Sequence, residues 1–257
     1  MIPTWRGTAA VVMAAVTSAV LGAGCAGDDD LDLGPPRDTV DLGAPGNDGS
    51  STRPGAPFHV AQASGSSLDV RSAPQENAEV VRTLVARDQV SGLVVCLVAQ
   101  ELGDNWVEVY LPTGEPGSTG WIERDDVTLT RHPFRIEVAL EAHSLRVYSG
   151  DDVLVSAPVA VGPDAPGAGD RFFITDLVRP PDPAGVYGAY AYGLSGSDND
   201  LAEFADADGV VALHGTADPS TLGTDTDRGA IAVDPAIIAN LVDTVGLPLG
   251  TPVDVLE

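Results

Sequence analysis

Lysine is absent from the 257 residues: all 13 cationic side chains are arginines, set against 38 Asp plus Glu, for a formal charge of −25. Such a surface repels a phosphate backbone at every approach, which argues against a nucleic-acid partner. Aromatic residues are scarce at 5 %, while 29 Gly and 20 Pro point to many turns and short strands. A helix bundle or coiled coil is disfavoured. There are only two cysteines, Cys25 and Cys96, in stretches of very different character, so no disulfide between them is expected and each thiol needs its own account. The apolar run from Thr8 to Ala23 is too short and too rich in small residues for a comfortable membrane-spanning helix. What is present is a 44 % apolar chain, long enough for one large domain or two small ones with a real core.

The run Thr8 to Ala23 follows a single cation, Arg6, and reads as a secretory signal. It ends in Leu21-Gly22-Ala23-Gly24-Cys25, which resembles the lipobox of bacterial lipoproteins. The resemblance implies cleavage after residue 24 and lipidation of Cys25, hence an extracytoplasmic protein anchored to the cell membrane and facing the cell wall. Leu21 stands one place further upstream than the usual position. From Cys25 to Pro57 the chain is mostly Gly, Pro, Asp and Ser, too poor in apolar residues to offset the entropy of ordering, and is expected to be a disordered acidic linker.

Over residues 58 to 130, apolar segments alternate with turn residues: Phe58 to Ala63, Leu68 to Arg71, Val80 to Val85, Gln89 to Gln100, Trp106 to Leu111 and Gly120 to Ile122. This is an all-β pattern. Val70 and Leu84 are expected to point inward, and Trp106 and Trp121 to supply buried area to a small core. Cys96, inside Leu93-Val94-Val95-Cys96-Leu97-Val98, reads as a buried, unreactive thiol. The segments Leu68-Asp69-Val70-Arg71-Ser72-Ala73-Pro74, Asn105-Trp106-Val107-Glu108-Val109 and Thr119-Gly120-Trp121-Ile122 resemble the bacterial SH3-type domain of cell-wall proteins. The resemblance implies a small SH3-like β-barrel, and no binding residue is carried over from it.

Residues 134 to 257 open with further strand patterns, Arg135 to Ala139, Ser144 to Tyr148, Val153 to Val161 and Arg171 to Ile174. One helix is predicted: Asp234 as N-cap, Pro235 in the first turn, then Ile237, Ile238, Leu241, Val242 and Val245 on one face before Gly246. Leu145-Arg146-Val147-Tyr148, Pro166 to Ile174, Tyr187-Gly188, Gly193-Leu194-Ser195, Leu213-His214-Gly215-Thr216 and Leu249-Gly250-Thr251-Pro252-Val253 resemble the L,D-transpeptidase family, which cross-links peptidoglycan or attaches proteins to it. The fold expectation is therefore mainly β: a small SH3-like β-barrel, then an L,D-transpeptidase-like β-rich domain with one C-terminal helix.

The departures carry the functional reading. In the family, the His-Gly pair is followed about sixteen residues later by a Ser-His-Gly-Cys-Ile-Arg-type motif whose cysteine is the nucleophile. Here the corresponding run is Asp227-Arg228-Gly229-Ala230-Ile231-Ala232. The resemblance makes His214 a vestigial base and Ala230 the position of the lost cysteine, flanked by Gly229, Asp227 and Arg228, with Tyr187, Gly215 and Thr216 on the substrate groove. Thiol acyl transfer needs a thiolate, a base and oxyanion donors, and a methyl group supplies no nucleophile. Ser195, Ser197, Ser220 and Thr224 are the hydroxyls that could substitute, though no triad spacing is visible. The acids between Asp198 and Asp208 fail the spacing of a calcium loop and read as a solvated loop, so neither metal nor cofactor is expected.

Three functions follow. A lipid-anchored pseudoenzyme could hold peptidoglycan or a cell-wall enzyme. A divergent L,D-transpeptidase could work through a substitute nucleophile beside His214. A regulatory protein could bind basic envelope partners through its negative surface.

Overall fold

The computed structural model describes residues 56–86, 93–103, 105–180, 182–185, 187–196, 211–227 and 230–257. The expectations placed on the signal segment, on Cys25, on the linker up to residue 55, on Ser197, on the acidic stretch 198–209, and on Arg228 and Gly229 lie outside the described residues.

Among the described residues, sixteen strands form two sheets. The first is antiparallel and contains β1 (Phe58–Ala63), β2 (Ser67–Arg71), β3 (Val80–Val85), β4 (Val95–Leu102), β5 (Trp106–Tyr110), β6 (Thr119–Glu123) and β7 (Val127–His132), in the order β3-β2-β6-β5-β4-β1-β7. Alternation decides its faces: Val107 and Val109 of β5 and Ile122 of β6 are fully buried with Ala61, Val70 and Cys96. Leu84 is buried as expected. The tryptophans are not in that core. Trp106 and Trp121 are half-buried residues of opposite parity to Val107 and Ile122, so they stand on the outer face with Glu108 and Glu123. The physical reason is the two-residue period: Val107 and Val109 cannot face inward unless Trp106 and Glu108 face outward.

The second sheet contains β8 (Phe134–Ala139), β9 (Ser144–Ser149), β10 (Asp152–Pro158), β11 (Ala160–Val161), β12 (Arg171–Val178), β13 (Ala191–Leu194), β14 (Ala212–Gly215), β15 (Ile231–Val233) and β16 (Pro252–Leu256). Its order is β10-β9-β8-β16-β12-β13-β14-β15-β11. The single strand expected from Val153 to Val161 is two strands, parted at Val159. β10 and β11, one residue apart in sequence, lie at opposite ends of this order, so the sheet curls round on itself. Its core holds Ile136, Val138, Leu145, Val147, Ile174, Ile231, Ile238 and Leu241, each fully buried, and each contributing about 1.5–3 kcal/mol of burial free energy.

The helix forms where its signals stand. Asp234 accepts a hydrogen bond from Ala236 N at 2.8 Å, Pro235 opens α1 (Pro235–Asn240), and Gly246 closes the segment with φ 67°. Its last turn, Leu241–Val245, is a π-helix, which turns the expected single apolar face: Ile238 and Leu241 are buried, while Ile237, Val242 and Val245 only flank the core.

The two sheets meet along a tight seam within one unit, Asp48–Glu257. A Cβ on Gly250 (φ 85°) would come within 2.5 Å of Val60 Cγ2, so only glycine permits that approach. Beside it the His132 ring lies 6.3 Å from Phe58 and 6.0 Å from Phe134. Across the seam, Gly196 N donates to Pro112 O at 3.0 Å.

Candidate functional site

His214 sits on β14, between β13 and β15, and is 2 % exposed. Register places it opposite Ala191 on one side and Ala232 on the other, with Val178 of β12 opposite Ala191. The next row along reads Asp176, Gly193 and Ala212. In-register neighbours point to the same face, so His214 stands on a floor of glycine and alanine, while Tyr192, Leu213 and Ile231 point the other way into the core.

Two glycines bring Tyr187 to the histidine. Gly188 has φ 67°, and a Cβ on it would lie 3.1 Å from Gly215 Cα. A Cβ on Gly215 would in turn meet Ile238 Cγ2 at 3.0 Å. The Gly188 backbone and the Ile238 side chain therefore both close on Gly215, and the Tyr187 ring meets the His214 ring edge-on at 4.9 Å and 69°. His214 Nδ1 lies 2.9 Å from Gly215 O. A carbonyl only accepts, so Nδ1 carries the hydrogen of this bond. Thr216, expected on the groove, uses its hydroxyl locally: Oγ1 accepts from Asp218 N at 3.0 Å.

Ala230 is 2 % exposed and directly precedes β15, the parallel neighbour of β14. Its carbonyl accepts from Gly162 N at 2.7 Å. The loop before it is fastened at several points, by Thr226 N to Val161 O at 2.8 Å, Gly223 N to Val159 O at 2.8 Å, and a 2.9 Å contact between His143 Nε2 and Asp225 Oδ1. Asp227 is exposed at the end of this loop.

Three of the four hydroxyls that could replace a thiol lie among the described residues, and each makes a hydrogen bond elsewhere. Ser195 Oγ accepts from Phe173 N at 3.1 Å, Ser220 Oγ donates to Asp218 Oδ1 at 2.6 Å, and Thr224 Oγ1 donates to Thr221 O at 2.7 Å. Cys96 is fully buried in the other sheet, and burial pushes its thiol up to about 12. It is buried, as its apolar run predicts. No group of three or more His, Cys, Asp or Glu able to hold a metal occurs among the described residues. Sequence reasoning passed over Asp176, which is 5 % exposed on the His214 face of the sheet. Its signal was a lone acid inside the apolar strand Arg171–Val178.

No family model matches the chain. A stretch of 123 residues, 48 % of the chain, is 31 % identical to the Bacillus licheniformis protein "Putative L,D-transpeptidase YkuD". That part of the chain is L,D-transpeptidase-like. The match spans 66 % of the relative's length. Among solved structures, L,D-transpeptidase 1 of Mycobacterium tuberculosis is 16 % identical, with 54 % of this chain and 78 % of that one covered at a TM-score of 0.36. Bd1075 of Bdellovibrio bacteriovorus is 23 % identical, with 49 % and 48 % covered at 0.37. An L,D-transpeptidase of Mycobacterium smegmatis is 16 % identical, with 79 % and 100 % covered at 0.39. With each TM-score below 0.5, the assignment rests on the sequence match. No helix among the described residues is long and apolar enough to cross a membrane.

Proposed function

We propose that the protein is a cell-envelope lipoprotein whose L,D-transpeptidase-like domain has lost its nucleophile and serves to bind peptidoglycan or a cell-wall enzyme. In this reading residues 1–24 are a signal peptide, Cys25 carries the lipid, 25–57 are a stalk, 58–130 form an SH3-type domain and 134–257 the transpeptidase-like domain. The observation that supports it is Ala230, a buried methyl group just ahead of β15, the neighbour of the His214 strand, at the position that the sequence resemblance aligns with the family's cysteine. Acyl transfer needs an atom that attacks the peptide carbonyl, and loss of an essential nucleophile costs many orders of magnitude in rate. The hydrogen bonds that occupy Ser195, Ser220 and Thr224 support the same reading.

The test is incubation of the protein with tetrapeptide-bearing muropeptides, followed by mass spectrometry. The expected result is no cross-linked dimer, no released D-alanine and no acylated protein. A product that disappears in His214→Ala would overturn the pseudoenzyme reading in favour of a substitute nucleophile. Sedimentation with purified peptidoglycan tests the binding role: the protein is expected in the pellet, and its quantitative recovery in the supernatant leaves the partner-enzyme form of the proposal.

A further inference from the structure

We propose that the outer face of β5 and β6 is a docking surface for a basic protein segment, and that it seats an arginine side chain between Trp106 and Trp121. Both tryptophans stand half-buried on this face, turned away from the core by strand parity. Indoles left at the surface are characteristic of interfaces, where tryptophan and arginine carry much of the binding energy.

Cross-strand register fixes what surrounds them. Trp106 stands opposite Glu123, and Trp121 stands opposite Glu108. Directly opposed residues of an antiparallel pair project to the same side, with Cβ atoms about 5 Å apart and the diagonal neighbours within reach of aromatic side chains. The four side chains therefore form a two-by-two patch, with the indoles on one diagonal and the carboxylates on the other. Beneath it, Val107, Val109 and Ile122 are fully buried and anchor both strands, so the patch has a rigid base.

The carboxylates are oriented, and each keeps an oxygen to offer. Arg71 Nη2 donates to Glu123 Oε1 at 3.1 Å, and Thr119 Oγ1 donates to Glu108 Oε1 at 2.8 Å. Neither Oε2 accepts a hydrogen bond among the described residues. Arg71 does not fill the patch itself: it enters from β2, opposite Trp121, and its Nη1 is tied to Ala78 O at 3.1 Å. Two carboxylates thus meet one guanidinium, and the patch keeps a net negative charge.

That pattern selects a cation. The quadrupole of an aromatic ring attracts a positive charge over its face, and tryptophan does so most strongly. Arginine brings a planar group that stacks on the ring while its N–H groups reach a carboxylate. A neutral sugar would use the rings and leave the paired charges idle. One cation–π contact at an open site is weak, so a free amine is held poorly and a segment with neighbouring contacts is held well. The field of a chain of formal charge −25 draws a basic partner in. Ala230 belongs to the other sheet, and the patch has no part in the pseudoenzyme reading, so either can fail without the other.

The experiment is calorimetric titration of the full chain, at low salt, with an end-blocked nine-residue peptide of glycine and three arginines. A second peptide carries citrulline, the neutral isostere, at the three arginine positions. The arginine peptide is expected to saturate, with the citrulline peptide at least tenfold weaker. Glu108→Gln together with Glu123→Gln should weaken the arginine peptide at least tenfold. Asp151→Asn together with Asp152→Asn removes the same charge from exposed positions on the second sheet and should change it less than twofold. Trp106→Phe and Trp121→Phe, which keep a ring of weaker quadrupole, should each cost at least twofold. The proposal is overturned if the two peptides bind alike, if the glutamine pair loses no more affinity than the asparagine pair, or if both Phe variants bind as the wild type does. Saturation by chitotetraose without binding of the arginine peptide would also overturn it and assign the face to a glycan.

Discussion

The Cβ position of Gly188 lies 3.1 Å from Gly215 Cα, and this approach sets Tyr187 against His214. Gly188→Ala is expected to cost about 2 kcal/mol, from roughly 1–2 kcal/mol for an L-residue at positive φ together with the backbone displacement. Urea denaturation checks the loss. The His214 imidazole resonances, freed from the edge-on tyrosine ring, should shift in the same variant. A variant with wild-type stability and unmoved resonances would show that the close approach is not what holds the pair.

Gly250 and Val60 form the corresponding contact at the seam, with the missing Cβ only 2.5 Å from Val60 Cγ2. Gly250→Ala should destabilise by about 2–3 kcal/mol, the scale of overpacking in a closed core. Val60→Ala removes the obstructing methyls at the cost of a buried side chain, 3 % exposed. In a double-mutant cycle the pair should cost at least about 0.5 kcal/mol less than the sum of the single changes. Additive losses would mean the strain lies in the glycine's φ alone.

His132 supplies a pH dependence. Burial at the seam lowers its pKa from 6.5 to about 4, against the opposing hydrogen bonds of the Gly250 and Phe134 backbone. A folded-state pKa below the unfolded one means that the unfolded chain takes up the proton first as pH falls. The contribution of this group is whole above pH 6.5 and is lost progressively between pH 6.5 and 4, with a slope of at most about 1.4 kcal/mol per pH unit for one proton. Urea midpoints measured at pH 7.5 and 5 should fall more for the wild type than for His132→Phe. Equal falls would place the acid sensitivity in other groups.

Much of this was legible in the sequence, and the limits have physical causes. The cap at Asp234, the stop at Gly246 and the inward positions Val70 and Leu84 are local signals, and they stand where the sequence places them. Trp106 and Trp121 misled because size outweighed parity. In Trp106-Val107-Glu108-Val109-Tyr110 the charged Glu108 shares its face with Trp106 and Tyr110, which was the sign that this face looks outward. β7 was passed over because Thr128, Thr130 and Arg131 break up its apolar content, yet Val127 is buried through the pairing with β1. The Gly250–Val60 contact joins residues far apart in sequence, and no local pattern announces it. At the site itself, the His214-Gly215 pair was readable from the motif, whereas the reason Gly215 must be glycine required its two neighbours in space, Gly188 and Ile238.

Cys96 offers a direct probe of global opening. Its thiol, fully buried and pushed up to about 12, stays protonated at neutral pH and out of reach of reagents. Iodoacetamide at pH 8 should leave the native protein unmodified at this residue and label it fully in urea, as read by peptide mass spectrometry. Because the folded pKa is raised, the stability tied to the neutral thiol is present below pH 9 and is lost as pH climbs from 9 toward 12. Rapid labelling of the native protein would show that the first sheet opens without global unfolding.

The floor around His214 is paved with Gly193, Ala191, Ala212 and Ala232. Side chains of this kind have no rotamers to choose among, so the relief of that surface is drawn by the backbone ladder itself. With Ala191 and Ala212 fully buried and His214 2 % exposed, whatever packs over that face meets a template that neither yields nor rearranges.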